Sequence, residues 1–256
     1  MSQPYLSLEA ELHDVFWNHE DEASEVALMA DFLDHHPGKA LEIGSGSGRL
    51  LLPLIKMGYA VEGLELSPDM VKLHHADAAR QNLSSTVHLG DMCTWNDGRK
   101  FSSLLAPAFT LQLAPDPLAT LKHWHSLLEK HGGLYLTLFM PYAELLGDLP
   151  ENEWYEDHTA PLPDGRVAKV HSRHRLDRTA QILHREHRYS ISGNPQVYES
   201  TQSLRWFEHE QTLDMLANAG FHLDHAILDF DPDFPAEDPD QTDFGGILTY
   251  YASACA

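Results

Sequence analysis

The residues best suited to chemistry lie in three short stretches. Leu41-Glu42-Ile43-Gly44-Ser45-Gly46-Ser47-Gly48 is an apolar run that passes into alternating glycines. Glycines in such a turn allow positive φ and let a ligand approach the backbone closely. A helix starting just beyond offers free N–H groups to an anionic group such as a carboxylate or phosphate. Glu65 closes a second apolar run, 17 residues after Gly48. A carboxylate there can accept hydrogen bonds from both ribose hydroxyls of an adenosine ligand. Gly90-Asp91-Met92 closes a third run, where an acid and a backbone N–H can meet an adenine edge. Each part alone has a plainer reading, as a simple turn or a helix cap. The three together point to a ligand site.

The elements that must position these residues follow from hydrophobic period. Residues 23–36 place Val26, Met29, Ala30 and Leu33 at helical spacing with acids on the other face, and Pro37-Gly38 stops that helix. Strands are expected at 39–43, 59–66, 86–90, 101–106 and 134–140, with helices at 48–57, from Ser67-Pro68 to about Arg80, and at 117–130 ended by Gly132-Gly133. Strands alternating with helices predict a parallel sheet covered on both faces. The pattern then changes to period two at 166–176, 181–191 and 196–207, which reads as an inserted antiparallel sheet with one buried face. A helix at 208–219 and strands at 221–230 and 245–254 return to the first pattern, across a Pro- and Asp-rich linker at 231–244. The expected fold class is α/β. It comprises a Rossmann-like, doubly wound, seven-stranded sheet, mostly parallel with an antiparallel last strand, and the small inserted sheet. Residues 1–150 and 207–256 would form one domain and 151–206 the insert, a substrate cover.

Lys and Arg number 17 against 39 Asp and Glu, a formal charge of −22. That balance argues against nucleic acid or an acidic membrane as partner, since phosphate contacts need clustered bases. Nearly all of the excess sits at the ends: residues 1–38 and 206–256 contain no Lys or Arg. Those flanks read either as a solvated, repulsive surface or as an electrostatic funnel for a cationic substrate. The stretch 166–188 is the exception, with seven bases (Arg166, Lys169, Arg173, Arg175, Arg178, Arg185, Arg188) against Asp177 and Glu186. It reads as solvated or self-paired, or as a site for an anionic substrate or a second subunit. Cys93 and Cys255 form no disulfide framework or metal motif, and no apolar stretch approaches the roughly 20 residues of a membrane helix. A cytoplasmic protein is expected. The 18 histidines show no metal-binding spacing and read as structural or solvent-facing. No metal site and no catalytic residue is assigned. A base, if one is used, is sought first in the loops at 106–112 and at Pro141-Tyr142, with Tyr5 and Trp17 as candidate linings of an acceptor pocket.

Between residues 39 and 140 the chain resembles the class I S-adenosylmethionine-dependent methyltransferases. Glu42, Gly44, Gly46 and Gly48, with Ser45 between them, match the family's acidic-x-Gly-x-Gly-x-Gly loop, which implies contact with the methionine part of S-adenosyl-L-methionine. Glu65 matches the ribose-binding acid, Leu66 lies beside the adenine, and Asp91 and Met92 match the adenine-contacting pair. Leu127 to Gly133 resembles the family's Leu-x-Pro-Gly-Gly turn without its proline, and Phe101-Ser102 stands where Phe-Asp is usual. The inserted sheet followed by Leu204-Arg205-Trp206-Phe207 is similar to a bacterial subgroup that methylates small molecules, often at nitrogen. The resemblance implies methyl transfer to a small-molecule acceptor, nitrogen ahead of oxygen. Nucleic-acid amino-methylating members carry Asn/Asp-Pro-Pro-aromatic after the fourth strand, and Ala106-Pro107-Ala108-Phe109 lacks it. An NAD(P)-dependent oxidoreductase, a cofactor-binding scaffold without catalysis, and a homodimer remain open alternatives.

Overall fold

A computed structural model describes residues 5–17, 21–235 and 246–255. Two N-terminal helices, α1 (Leu8–Trp17) and α2 (Asp21–His35), precede the first strand. Then come β1 (Ala40–Ile43), α3 (Leu51–Met57), β2 (Val61–Glu65), α4 (Pro68–Arg80), β3 (Val87–Leu89) and β4 (Phe101–Ala106). After them come α5 (Pro117–Leu127), β5 (Leu128–Phe139) and the short α6 (Tyr142–Leu146). Four strands form the second sheet: β6 (Tyr155–Pro161), β7 (Val167–Asp177), β8 (Ile182–Ile191) and β9 (Val197–Arg205). The chain ends with α7 (His209–Asn218), β10 (Phe221–Leu228), β11 (Asp231–Pro235) and β12 (Ile247–Ala254).

The main sheet runs β11-β10-β12-β5-β4-β1-β2-β3. Strands β1 to β5 pair in parallel, while β12 lies antiparallel to both β5 and β10. Alternate side chains of the central strands feed two separate cores, as the pleat requires. Leu104, Leu134 and Leu136 pack with Trp124 and Leu216 on one face; Leu105 and Tyr135 pack with Met29, Phe32 and Leu51 on the other. Burial on both faces explains why these strands read as continuous apolar runs.

The sheet has eight strands where seven are expected from the sequence. The extra one, β11, takes up 231–235 of the expected linker; residues 236–244 of that linker lie outside the described residues. Two prolines, Pro232 and Pro235, conceal it, and an edge position tolerates them because one side of an edge strand needs no donor. A second difference concerns α5, which ends at Leu127 rather than near 130. Gly132 and Gly133 belong to β5, not to a helix stop. Between Phe101↔Leu128 and Ser103↔Gly133 the register slips, with His131 at φ 63°. A side chain at Gly133 would stand 2.6 Å from Phe32, so glycine lets α2 press against the strand.

In the second sheet, β6 is additional to the three strands read from sequence. Its composition, Tyr-Glu-Asp-His-Thr-Ala-Pro, is nearly all polar, which suits an edge strand and hides it from a hydrophobic period. The buried face of this sheet makes two apolar contacts. Ala168, Val170, Tyr189 and Ile191 meet Leu12 and Phe16 of α1. Leu176, Leu183 and Trp206 meet Phe139 and Met140 past the end of β5. The basic ribbon is self-paired: Arg166–Asp164, Lys169–Glu156, Arg173–Glu186, Arg178–Glu151, Arg185–Glu144 and Arg188–Glu199 all lie within ion-pair distance. The partners come from 144–199, not from the acidic termini. Among the described residues no helix is long and apolar enough to cross a membrane.

Candidate functional site

The turn after β1 is held by its neighbour strand. The amides of Gly44 and Ser45 both donate to the Leu64 carbonyl, at 2.8 and 3.1 Å. All three glycines have positive φ, at 73°, 53° and 90°, but their reasons differ. A Cβ on Gly44 would stand 2.7 Å from the Thr110 hydroxyl, and one on Gly48 only 2.2 Å from the buried His74 ring. Those two are glycine for packing. A Cβ on Gly46 would meet no atom closer than 4.0 Å, so its open side faces space that a ligand can enter.

Gly46 N–H donates to Glu65 Oε2 at 2.9 Å, and Ser67 N–H donates to Oε1 at 2.7 Å. The strand end of β2 and the glycine turn are thereby tied through one carboxylate. Ser67 caps α4, its hydroxyl accepting from Met70 N–H, with Pro68 in the first turn as the sequence predicts. Burial pushes the Glu65 carboxyl above the usual range, against the hydrogen bonds from Ser67, Gly46 and Leu66. Glu42 is buried at 2% exposure, and its Oε2 has no hydrogen-bond partner among the described residues. Burial raises its carboxyl well above the ordinary value; the charges of Glu25 and Glu65 add to this and Arg49 opposes it. The Ser45 hydroxyl is also buried without a partner. Such orphaned polar atoms are rare unless a ligand or water completes them.

These groups line one cavity of about 300 Å³. Of the nine residues singled out in the sequence, Glu42, Gly44, Ser45, Gly46, Glu65, Leu66, Asp91 and Met92 are on its wall. Gly48 is not, and serves the turn against His74. Leu66 is 42% exposed, an apolar side chain held open at the cavity. Asp91 accepts from Cys93 N–H at 2.8 Å, and the Met92 carbonyl accepts from the Trp124 indole at 3.0 Å. The wall is completed by Pro107, Ala108 and Thr110 from the loop after β4, none of them a base near neutrality, and by Tyr5 and His13 from the N-terminal segment. Pro141 and Tyr142 are not on it. The Trp17 side chain lies outside the described residues.

Of the N-terminal contribution, sequence reasoning found Tyr5, which is on the wall, and missed His13 and the buried acids. Two acids expected on solvated faces are buried: Glu9 and Glu25, each 4% exposed. Glu9 accepts from Ser200 Oγ and from Tyr5 N–H, both at 2.9 Å, joining α1 to β9. Glu25 accepts from Thr137 Oγ1 at 2.9 Å, joining α2 to β5. Tyr5 is fixed at both ends, its carbonyl by Ser67 Oγ at 2.6 Å and its hydroxyl by Gln202 at 2.8 Å. His13 Nδ1 lies 2.8 Å from Asp14 Oδ1, and that oxygen also accepts from Ser47 Oγ of the glycine turn at 2.9 Å. The sequence signal was the placement of Tyr5 just before, and His13 within, an acid-rich helical segment.

Residues 40–132 match the family model described as Methyltransferase domain. Over that stretch, about a third of its length, the chain is similar to methyltransferase domains. Methyltransferases of this kind use S-adenosyl-L-methionine, and the cavity, with the orphaned Glu42 carboxyl, the open side of Gly46 and the Glu65 carboxylate, fits that molecule. A relative from Streptomyces fradiae, dTDP-3-amino-3,6-dideoxy-alpha-D-glucopyranose N,N-dimethyltransferase, is 36% identical over 100 residues, covering 37% of this chain and 38% of that enzyme. The matched part is thus well under half of that relative's length. A Clostridium acetobutylicum ATCC 824 S-adenosylmethionine-dependent methyltransferase shares the fold at TM-score 0.77 and 12% identity, over 96% of this chain and 98% of that one. The sugar N-methyltransferase KedS8 from Streptoalloteichus sp ATCC 53650 does so at TM-score 0.72 and 20% identity, over 100% and 98%. The likeness to the two solved structures is one of fold, and it extends through the second sheet that the domain match leaves out.

Proposed function

We propose that the chain binds S-adenosylmethionine in this cavity and methylates an amino nitrogen of a small-molecule acceptor, an amino sugar or its nucleotide. The observation that carries the reading is the convergence of eight separately chosen residues on one cavity that contains an unpartnered buried carboxyl. Glu42 and Ser45 would hold the methionine part, Glu65 the ribose, and Leu66, Asp91 and Met92 the adenine. Bound there, the cofactor supplies a methyl group already activated on a sulfonium sulfur. The chain's own work is to orient the acceptor and exclude water. In this reading residues 151–206 are the substrate cover, and 1–150 with 207–256 the cofactor domain. The amino-sugar class rests on the likeness to sugar N-methyltransferases.

Titration calorimetry with S-adenosylhomocysteine and with NADH tests the cofactor: binding of the first alone is expected, and binding of NADH alone would overturn it. Transfer of labelled methyl to dTDP-3-amino-3,6-dideoxyglucose, with the matching 3-hydroxy sugar nucleotide as comparison, tests the acceptor. Transfer to the hydroxy sugar in preference would reverse the choice of nitrogen.

A further inference from the structure

We propose that the His13–Asp14 pair of α1 is the proton acceptor of the reaction, with His13 Nε2 taking the proton that a methylated amine must lose. The proposal rests on the methyl-transfer reading above and adds a catalytic residue to it. His13 is on the cavity wall and its side chain is 23% exposed, so it is reachable from the cavity. Its Nδ1 stands 2.8 Å from Asp14 Oδ1. An ionised carboxylate only accepts, so Nδ1 carries the hydrogen and Nε2 is left with a free lone pair. Burial raises the Asp14 carboxyl, but the hydrogen bond and charge of His13, the Ser47 hydroxyl and Arg49 outweigh this and hold it below the usual range. Asp14 therefore stays ionised through the neutral range. Its bond to Ser47 fixes the pair to the glycine turn, so the imidazole is positioned relative to the cofactor loop and not only to its own helix.

The ring has charged and aromatic neighbours. Glu9, Asp14 and Glu65 all interact with it, Arg49 faces Asp14, and the Tyr5 ring meets it edge-on with centroids 5.6 Å apart. Other groups on the wall serve less well. Burial and the Glu9 charge push the Tyr5 phenol up to about 12. Glu65 already accepts two backbone N–H groups, and burial raises the Cys93 thiol. The loop at 106–112, where a base would be sought first, places Pro107, Ala108 and Thr110 on the wall, none of them a base.

The step balances. The acceptor nitrogen gives its lone pair to the methyl carbon, a C–N bond forms, and the S–CH₃ bond breaks with its pair left on sulfur. One N–H proton of the resulting ammonium passes to Nε2. The products are a neutral thioether, a neutral amine and an imidazolium, which carries the single positive charge of the sulfonium consumed.

The test compares wild type, His13→Gln and Asp14→Asn from pH 5.5 to 9 with dTDP-3-amino-3,6-dideoxyglucose, alongside the affinity of each for S-adenosylhomocysteine. Loss of a positioned base is expected to lower kcat about 100-fold in His13→Gln, at the low end of general-base effects. Cofactor affinity should stay within about twofold, and the fall should lie in kcat and not in the KM of the acceptor. Asp14→Asn should fall between the two. A His13→Gln enzyme that matches wild type across the range overturns the proposal. Failure of wild type to methylate the probe would count against the amino-sugar reading alone, and a second measurement then decides. In protein with ¹⁵N-labelled histidines, the His13 Nε2 signal, identified by its loss in His13→Gln, should move when sinefungin binds, because that analogue carries an amine in place of the methylated sulfonium. Sinefungin binding that leaves the signal in place overturns the proposal.

Discussion

Glu65 receives backbone N–H groups from Gly46 on Oε2 and from Ser67 on Oε1, with Leu66 N–H also donating, which leaves at least one lone pair for a ligand. Removing it costs the ligand that acceptor and frees the Gly46 amide. Glu65→Ala is expected to weaken S-adenosylhomocysteine binding by about 1–3 kcal/mol, measured calorimetrically; an unchanged dissociation constant would remove Glu65 from the site. Glu42 carries a different signature. Its carboxyl is raised by burial, so the folded apo protein binds that proton more tightly than the unfolded chain does. Stability from this group therefore falls as pH rises from the ordinary carboxylate value through the raised one. Glu42→Gln should flatten that fall and stabilise the apo protein at pH 7. It should also weaken cofactor binding by about 1.5–3 kcal/mol, the range for hydrogen bonds to a charged group. Thermal unfolding at pH 5 and pH 7 checks the first outcome, and parallel slopes for the two proteins would refute it. Glu42, Glu65 and the glycines were legible in the sequence because each sits where a strand passes into a turn, a local event with a local signal. His13 was not, and Tyr5 was legible only as a candidate lining, without its anchors. Their role depends on contacts with Asp14, Ser47, Ser67 and Gln202, and three of those four partners lie more than 30 positions away.

The elements that carry the site were read from sequence to within a few residues where they are central, and missed where they are peripheral. β1, β2 and β4 are buried on both faces and announce themselves as apolar runs. β6 and β11 are edges, where polar residues and proline are acceptable, and such strands have no period to detect. The start of β5 was hidden for another reason. A glycine pair is the usual helix stop, yet here it serves a bulge and the close approach of α2. Gly133→Val forces a side chain against Phe32 and His36, with the Cβ 2.6 and 2.7 Å from them. Overpacking of this kind should cost about 1–3 kcal/mol. Urea denaturation should show the loss, and an unchanged midpoint would mean that α2 can move away without penalty.

At the level of the whole molecule, the charge of −22 is divided between uses. Glu9 and Glu25 of the acidic N-terminal flank hold α1 and α2 to the sheets, and Asp14 ties α1 to the glycine turn. The bases of 166–188 are largely committed to nearby acids, in surface pairs that water and salt screen strongly. Acids outnumber bases 39 to 17, so net repulsion outweighs pairing. Raising NaCl from 20 to 200 mM screens both, and the melting temperature should rise. A fall on calorimetric scanning would show that the ion pairs dominate instead.

The buried face of the second sheet has a consequence for how many ways it can sit. Along β7 the inward residues run Ala168, Val170, Ser172, His174 and Leu176: apolar, apolar, polar, polar, apolar. β8 repeats this order in reverse, with Leu183, Arg185, His187, Tyr189 and Ile191. A displacement by one pleat would put Ser172 against the side chains of α1 and strand Leu176 among the hydrogen-bonding groups. Both mismatches are penalised, one by unpaired polar atoms and the other by lost apolar contact. The banding therefore works as a ruler. It admits one seating of the sheet on the rest of the chain and makes the neighbouring ones unfavourable, which a uniformly greasy face could not do.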